Sequence, residues 1–112
     1  MDYNIAENNG VVVLELKGNI MGGPDATQLN DEIHTRIKQG KKNFVVNMQS
    51  VDLINSSGLG ILISNLTTVK NNGGDLRLTN LSSKIKQIFQ ITKLATVFKQ
   101  YDSVDDGVKS FV

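Results

Sequence analysis

Phe44-Val45-Val46-Asn47-Met48 is a short, nearly unbroken apolar run rich in β-branched side chains, and it constrains the fold more tightly than any other stretch of the chain. A strand with one wet face alternates apolar and polar residues. A run without that alternation predicts a strand covered on both faces, and therefore the centre of a sheet.

The segments on either side supply the neighbours and the cover. Ile5, the turn cluster Glu7-Asn8-Asn9-Gly10 and the run Val11-Val12-Val13-Leu14-Glu15-Leu16 predict an opening β-hairpin with a mostly buried second strand. After Gly18, a loop through Met21-Gly22-Gly23 leads to Pro24, which suits the first helical position because the N–H it lacks is unpaired there anyway. A first helix is predicted from Pro24 to about Gln39, with Ala26, Leu29, Ile33 and Ile37 in one stripe and Gly40 as its C-cap. Asp52-Leu53-Ile54-Asn55-Ser56-Ser57 reads as a loop into a second helix, striped by Leu59, Leu62, Ile63, Leu66 and Val69 and ended by Gly73-Gly74.

Leu76-Arg77-Leu78 predicts another strand, and Ser82 or Ser83 caps a short helix carrying Ile85, Ile88 and Phe89. Thr96-Val97-Phe98 predicts a last strand. A terminal helix follows Asp102 or Ser103, with Val108, Phe111 and Val112 docking on the sheet. Strand and helix thus alternate after an opening hairpin. The expectation is an α/β fold, a mixed sheet of about four to five strands with about four helices largely on one side.

Composition removes several classes of function. The 112 residues suffice for one domain and one core. Twelve Lys+Arg against eleven Asp+Glu leave a formal charge of +1, too little for the footprint of a nucleic-acid binder. Cysteine is absent, which excludes disulfides, thiolate nucleophiles and most structural zinc sites. Met1 to Gly10 lacks a basic run followed by an apolar stretch, and no segment is apolar enough to span a bilayer, so a cytoplasmic protein is expected.

Asn55-Ser56-Ser57-Gly58-Leu59-Gly60 is the segment that generic helix rules do not explain. Each glycine within a helix costs about 1 kcal/mol relative to alanine, so Gly58 and Gly60 weaken the helix they help to open unless another backbone or molecule approaches there. Ser56 falls where an N-cap belongs. On spacing alone the plainer reading leads: Ser56 is a cap, Ser57 is solvated, and the glycines serve packing. The alternative is a modifiable hydroxyl, because a phosphate on Ser56 meets free N–H groups and the positive end of the helix dipole. A nucleotide-binding loop is the weakest reading, since the P-loop lysine and the dinucleotide fingerprint are both missing.

The same six residues, preceded by the Phe44–Met48 strand and Val51-Asp52-Leu53-Ile54, resemble the signature of STAS-domain anti-sigma factor antagonists, usually Asp-Ser-Ser/Thr-Gly-Leu-Gly. The resemblance extends through Leu16-Lys17-Gly18 and Gly73-Gly74-Asp75-Leu76, so residues 1–112 read as a single STAS domain. It implies a regulatory binding protein without catalytic or metal-ligating residues. Ser56 is then the phosphorylated serine, with Ser57 second choice. The implied partners are an anti-sigma factor that is also a serine kinase, which alone uses Mg-ATP, and a serine phosphatase.

The unphosphorylated form is expected to bind the kinase and release its sigma factor, as a monomer or weak dimer, with neither nucleic acid nor membrane as partner. The expected partner-binding residues are Met21, Gly22, Gly23, Asp25, Asn55, Ser56, Ser57, Gly58, Leu59 and Gly60. Asn55 stands where the family has aspartate, and the loop from Gly18 to Asp25 is longer than in many relatives.

Two other functions fit less well. A non-phosphorylated STAS subunit, for example an accessory of a lipid-transport ATPase, draws on Asn55. A small hydrolase with Ser56 or Ser57 as nucleophile lacks a base near the motif. His34, the single histidine, reads as a surface residue, and Lys38, Lys41 and Lys42 as complements to a helix C-terminus.

Overall fold

Asn9 and Gly10 both take positive φ, 54° and 79°, which gives the two-residue turn whose twist matches that of its flanking strands. In the computed structural model, which describes all 112 residues, this turn joins β1 (Asp2–Asn8) to β2 (Val11–Ile20) in an antiparallel pair with Ile5 opposite Leu14. The chain continues through α1 (Pro24–Lys38), β3 (Asn43–Ile54), α2 (Ser56–Asn71), β4 (Asp75–Thr79), α3 (Ser83–Ile91), β5 (Gln100–Tyr101) and α4 (Val104–Lys109).

The five strands lie in the order β1-β2-β3-β4-β5, and every pairing after the first is parallel. β3 is central, as its apolar run predicts. Its alternate residues Phe44, Val46 and Met48 join Leu14, Leu16, Leu76 and Leu78 in the main core, beneath Leu29 and Ile33 of α1, Leu62 and Val69 of α2, and Ile85 and Phe89 of α3. Val45 points to the other face, where it meets Val11 and Val108 in a small second cluster. Three helices therefore cover one face, and α4 alone covers part of the other.

The structure departs from the sequence reading in six places. β3 does not stop at Met48. Val51, Leu53 and Ile54 pair with Gly18, Asn19 and Ile20, because β3 takes up an extra residue between Asn47 and Ser50 and another between Val51 and Leu53, and the two strands stay together to the helix. Thr96-Val97-Phe98 is not a strand. Phe98 turns into the core, its ring edge-on to Phe89 at 5.9 Å, and the sheet is completed by the polar pair Gln100–Tyr101 beside Leu78–Thr79.

Val112 is 79% exposed and does not dock. In α2, Asn65 is fully buried while Ile63 is only half-buried, so the buried face is turned slightly from the apolar stripe. The C-cap of α1 is Gln39, with Gly40 the residue after it. Ser82 caps α3, its Oγ accepting from the Ile85 N–H at 3.2 Å, and Ser103 caps α4, its Oγ accepting from the Asp106 N–H at 3.1 Å. The sixth departure lies at the start of α2.

Candidate functional site

β3 runs up to Ile54, and the next residue, Asn55, is extended at φ −105° and ψ −176°. Its Oδ1 accepts from the Gly58 N–H at 2.8 Å. Asn55 is therefore the N-cap, and Ser56 is the first helical residue rather than the cap expected from the sequence. Asparagine caps as well as serine does, and the pairing of β3 with β2 up to Ile54 makes it the last extended residue before the helical turn. Ser56 is thereby freed of the capping role. Ser56 and Ser57 are both exposed.

The helix end is electrostatically open. The first turn of α2 contains no acidic residue, whereas its last turn carries Lys70. The unpaired N–H groups and the positive end of the dipole at Ser56 are left without a compensating carboxylate.

The two motif glycines have different reasons. A Cβ at Gly58 would overlap the carbonyl oxygen of Ile20 and stand 2.8 Å from Cγ1 of Ile54, so the helix can seat against the end of β2 only without a side chain there. A Cβ at Gly60 would meet nothing within 4 Å, and the residue faces solvent. Nothing within the chain requires glycine at that position.

The loop after β2 lies against this helix end. The Asn55 N–H donates to the Ile20 carbonyl at 3.4 Å, and Asn55 Nδ2 donates to the Met21 carbonyl at 3.2 Å. Gly22 takes φ 103°, and a Cβ there would lie 2.9 Å from Cβ of Ser57. Met21 is 42% exposed beside it.

Asp25 anchors the loop from below. Its Oδ2 accepts from the Met21 N–H at 3.2 Å, and its Oδ1 accepts from the Met1 ammonium at 2.9 Å. The ammonium's hydrogen bond holds the Asp25 carboxyl below its usual range, burial opposes this, and the Met21 N–H adds to the lowering. The bond to Asp25 raises the Met1 amino group in turn.

Of the ten residues expected to meet a partner, Met21, Gly22, Gly23, Asn55, Ser56, Ser57 and Gly60 are accessible, and contacts bring Met21 to Asn55 and Gly22 to Ser57. Asp25, Gly58 and Leu59 are buried, and they shape the patch from beneath. Ile20 was missed. Its contribution is a backbone carbonyl, which no side-chain pattern reveals.

His34 is exposed on α1 with Nδ1 2.7 Å from the Asn30 carbonyl oxygen, so that nitrogen is a donor committed to its own helix. No three His, Asp or Glu side chains converge as a metal site. Two open depressions, about 470 Å³ beside Tyr101 and Asp106 and about 240 Å³ beside Glu15 and Asn47, are lined by other residues than the motif. No helix is long and apolar enough to cross a membrane.

The site is one helix end on a mixed sheet, presenting two exposed hydroxyls. The chain belongs to the STAS domain family, whose profile matches residues 2–107. It is 29% identical to the anti-sigma-B factor antagonist of Bacillus subtilis over 98 residues, 85% of this chain and 89% of that one. The fold is that of an anti-sigma factor antagonist from Mycobacterium paratuberculosis, at TM-score 0.81 and 20% identity over 97% of this chain and 92% of that one. It is also that of the Bacillus cell fate determinant SpoIIAA in its phosphorylated form, at TM-score 0.75 and 19% identity over 99% and 100%.

Proposed function

We propose that this protein is an anti-sigma factor antagonist controlled by phosphorylation of Ser56, and that it has no catalytic activity of its own. The observation that carries the reading is the Ser56 hydroxyl, exposed at the first position of α2, released from capping by Asn55 and set at a helix end without a carboxylate.

An anti-sigma factor with serine kinase activity transfers the γ-phosphoryl group of Mg-ATP to Ser56 Oγ, whose O–H proton is lost as ADP leaves. A serine phosphatase returns the hydroxyl. The phosphate adds about −1.5 to −2 charges to a patch otherwise built of neutral groups, so a partner fitted to the hydroxyl is repelled or left with poorly solvated groups. The free form binds the kinase and releases the sigma factor. The protein needs no cofactor, acts in the cytoplasm, and presents its patch as a monomer.

Incubation with a cognate kinase and Mg-ATP, followed by intact mass and site mapping, tests this. One phosphoryl group on Ser56 is expected, absent in Ser56→Ala, which retains partner binding; Ser56→Asp binds more weakly. Undiminished label in Ser56→Ala sinks the assignment. Asn55 in place of aspartate favours a second reading, a STAS subunit that is never phosphorylated. Recovery of a stable complex with a transport ATPase from the native cell, instead of one with an anti-sigma factor, distinguishes it.

A further inference from the structure

The end of β2 and the start of α2 touch through two backbone features and one side chain. The backbone features are the Asn55 N–H on the Ile20 carbonyl and the bare Cα of Gly58 against the same carbonyl. Both hold Ile20. Beyond it the chain enters Gly22 and Gly23, at φ 103° and 62°, where glycine carries more conformational freedom than any other residue.

Only side chains hold Met21 in front of them. The Asp25 carboxylate receives its N–H, and Asn55 Nδ2 donates to its carbonyl. Asn55 does this while its Oδ1 caps Gly58. A carboxylate at position 55 retains the cap but has no hydrogen to donate, and a serine retains the cap but falls short of the loop.

We infer that Asn55 is a positioning residue that fastens the Met21–Gly23 loop to the Ser56 end of α2, so that two segments 34 residues apart offer one preformed surface to the partner. The fastening stands on the geometry alone, and its use by a partner rests on the function proposed above. A loop already held in its bound shape spares the association the entropy of ordering it. The amide at position 55 thus performs two tasks, of which aspartate performs one.

Amide hydrogen exchange read at Met21 and Gly58 separates those tasks. In Asn55→Asp and Asn55→Ser the Gly58 amide stays protected, while the Met21 amide, still on Asp25 but in a loop released from α2 at its carbonyl, exchanges several-fold faster through more frequent opening of the loop. In Asn55→Ala both amides exchange faster. The neutral Asn55→Ser variant also binds the anti-sigma factor about tenfold more weakly, without a change of charge to confuse the comparison.

Met21 exchanging at the wild-type rate in Asn55→Asp overturns the inference. So does equal loosening of Gly58 and Met21 in Asn55→Asp and Asn55→Ser, which makes Asn55 a cap and nothing more. Faster Met21 exchange in Asn55→Ser with unchanged partner affinity removes the preformed surface. Failure of every kinase to label Ser56 counts against the proposed function, and leaves the Met21 result standing.

Discussion

The carbonyl group of Ile20 occupies the space in which a side chain at Gly58 would begin, its carbon 2.9 Å from where the Cβ would lie. A strand end and a helix start, 38 residues apart by their numbers, are thereby in direct backbone contact. The candidate site is built on that seat.

Alanine at the two motif glycines should act in opposite directions. Gly58→Ala forces backbone against backbone and is expected to destabilise by about 3 kcal/mol. Gly60→Ala fills open space on a helix and is expected to stabilise by about 0.5–1 kcal/mol. Urea titration of both variants reads the contrast; equal effects would show that the seat on Ile20 is not rigid.

Phosphorylation of Ser56 should raise stability while it blocks binding. A negative group at the first helical position meets a dipole end with no carboxylate beside it, which is worth about 0.3–1 kcal/mol at low ionic strength. Thermal unfolding of the phosphorylated and free forms should show this gain, and it should fade at about 1 M salt. A lower midpoint at low salt is the contrary result.

The Asp25 pair predicts a stability difference confined to the middle of the pH range. Asp25 has a lowered pKa in the folded protein, so its contribution is fully present above the unfolded value of about 3.9 and is lost as pH falls through the lower folded value. The Met1 amino group has a raised pKa, so its contribution is fully present below about 8 and is lost as pH rises through the higher folded value. The advantage of wild type over Asp25→Asn in urea titrations should therefore be flat between about pH 4 and 8 and shrink at both ends. A difference that is constant at every pH counts against the ion pair.

Arg77 fastens the C-terminal segment to the sheet. Its Nε donates to Asp75 Oδ2 at 3.0 Å, a terminal N–H group donates to the Ser110 carbonyl at 2.8 Å and hydroxyl at 2.6 Å, and the guanidinium lies 3.8 Å from the centre of the Phe111 ring. Lysine keeps the charge but not the planar fork. Arg77→Lys is expected to cost about 1–2 kcal/mol and to speed exchange at the Phe111 amide, which donates to the Val108 carbonyl. Unchanged exchange at Phe111 would mean that the apolar contacts around Val108 hold α4 without Arg77.

Much of the fold is legible because local order writes it into the chain. The Phe44–Met48 run announces a central strand, Asn9-Gly10 announces the hairpin turn, and the stripes of Leu29 with Ile33 and of Leu62 with Val69 announce helices that lie on one core. Those signals depend on residues within a few positions of one another, where the periods of strand and helix decide which side chains share a face. The Ser56 segment stands out for the same reason: its glycines break a local rule.

The rest needed partners that are distant in sequence. The choice of Asn55 over Ser56 as cap follows from where β3 ends, and β3 ends at Ile54 because the extra residues it takes up after Asn47 and Val51 keep it paired with β2 that far. Asp25 reads as a partner-binding acid until Met1, 24 residues away, closes on it. Phe98 reads as strand until Phe89 draws its ring into the core. Periodicity settles what kind of element each segment forms and which of its faces is dry; the meeting of remote segments settles which hydroxyl is free, which glycine is indispensable and which charge is hidden, because a contact between far residues leaves no mark on the neighbours of either one.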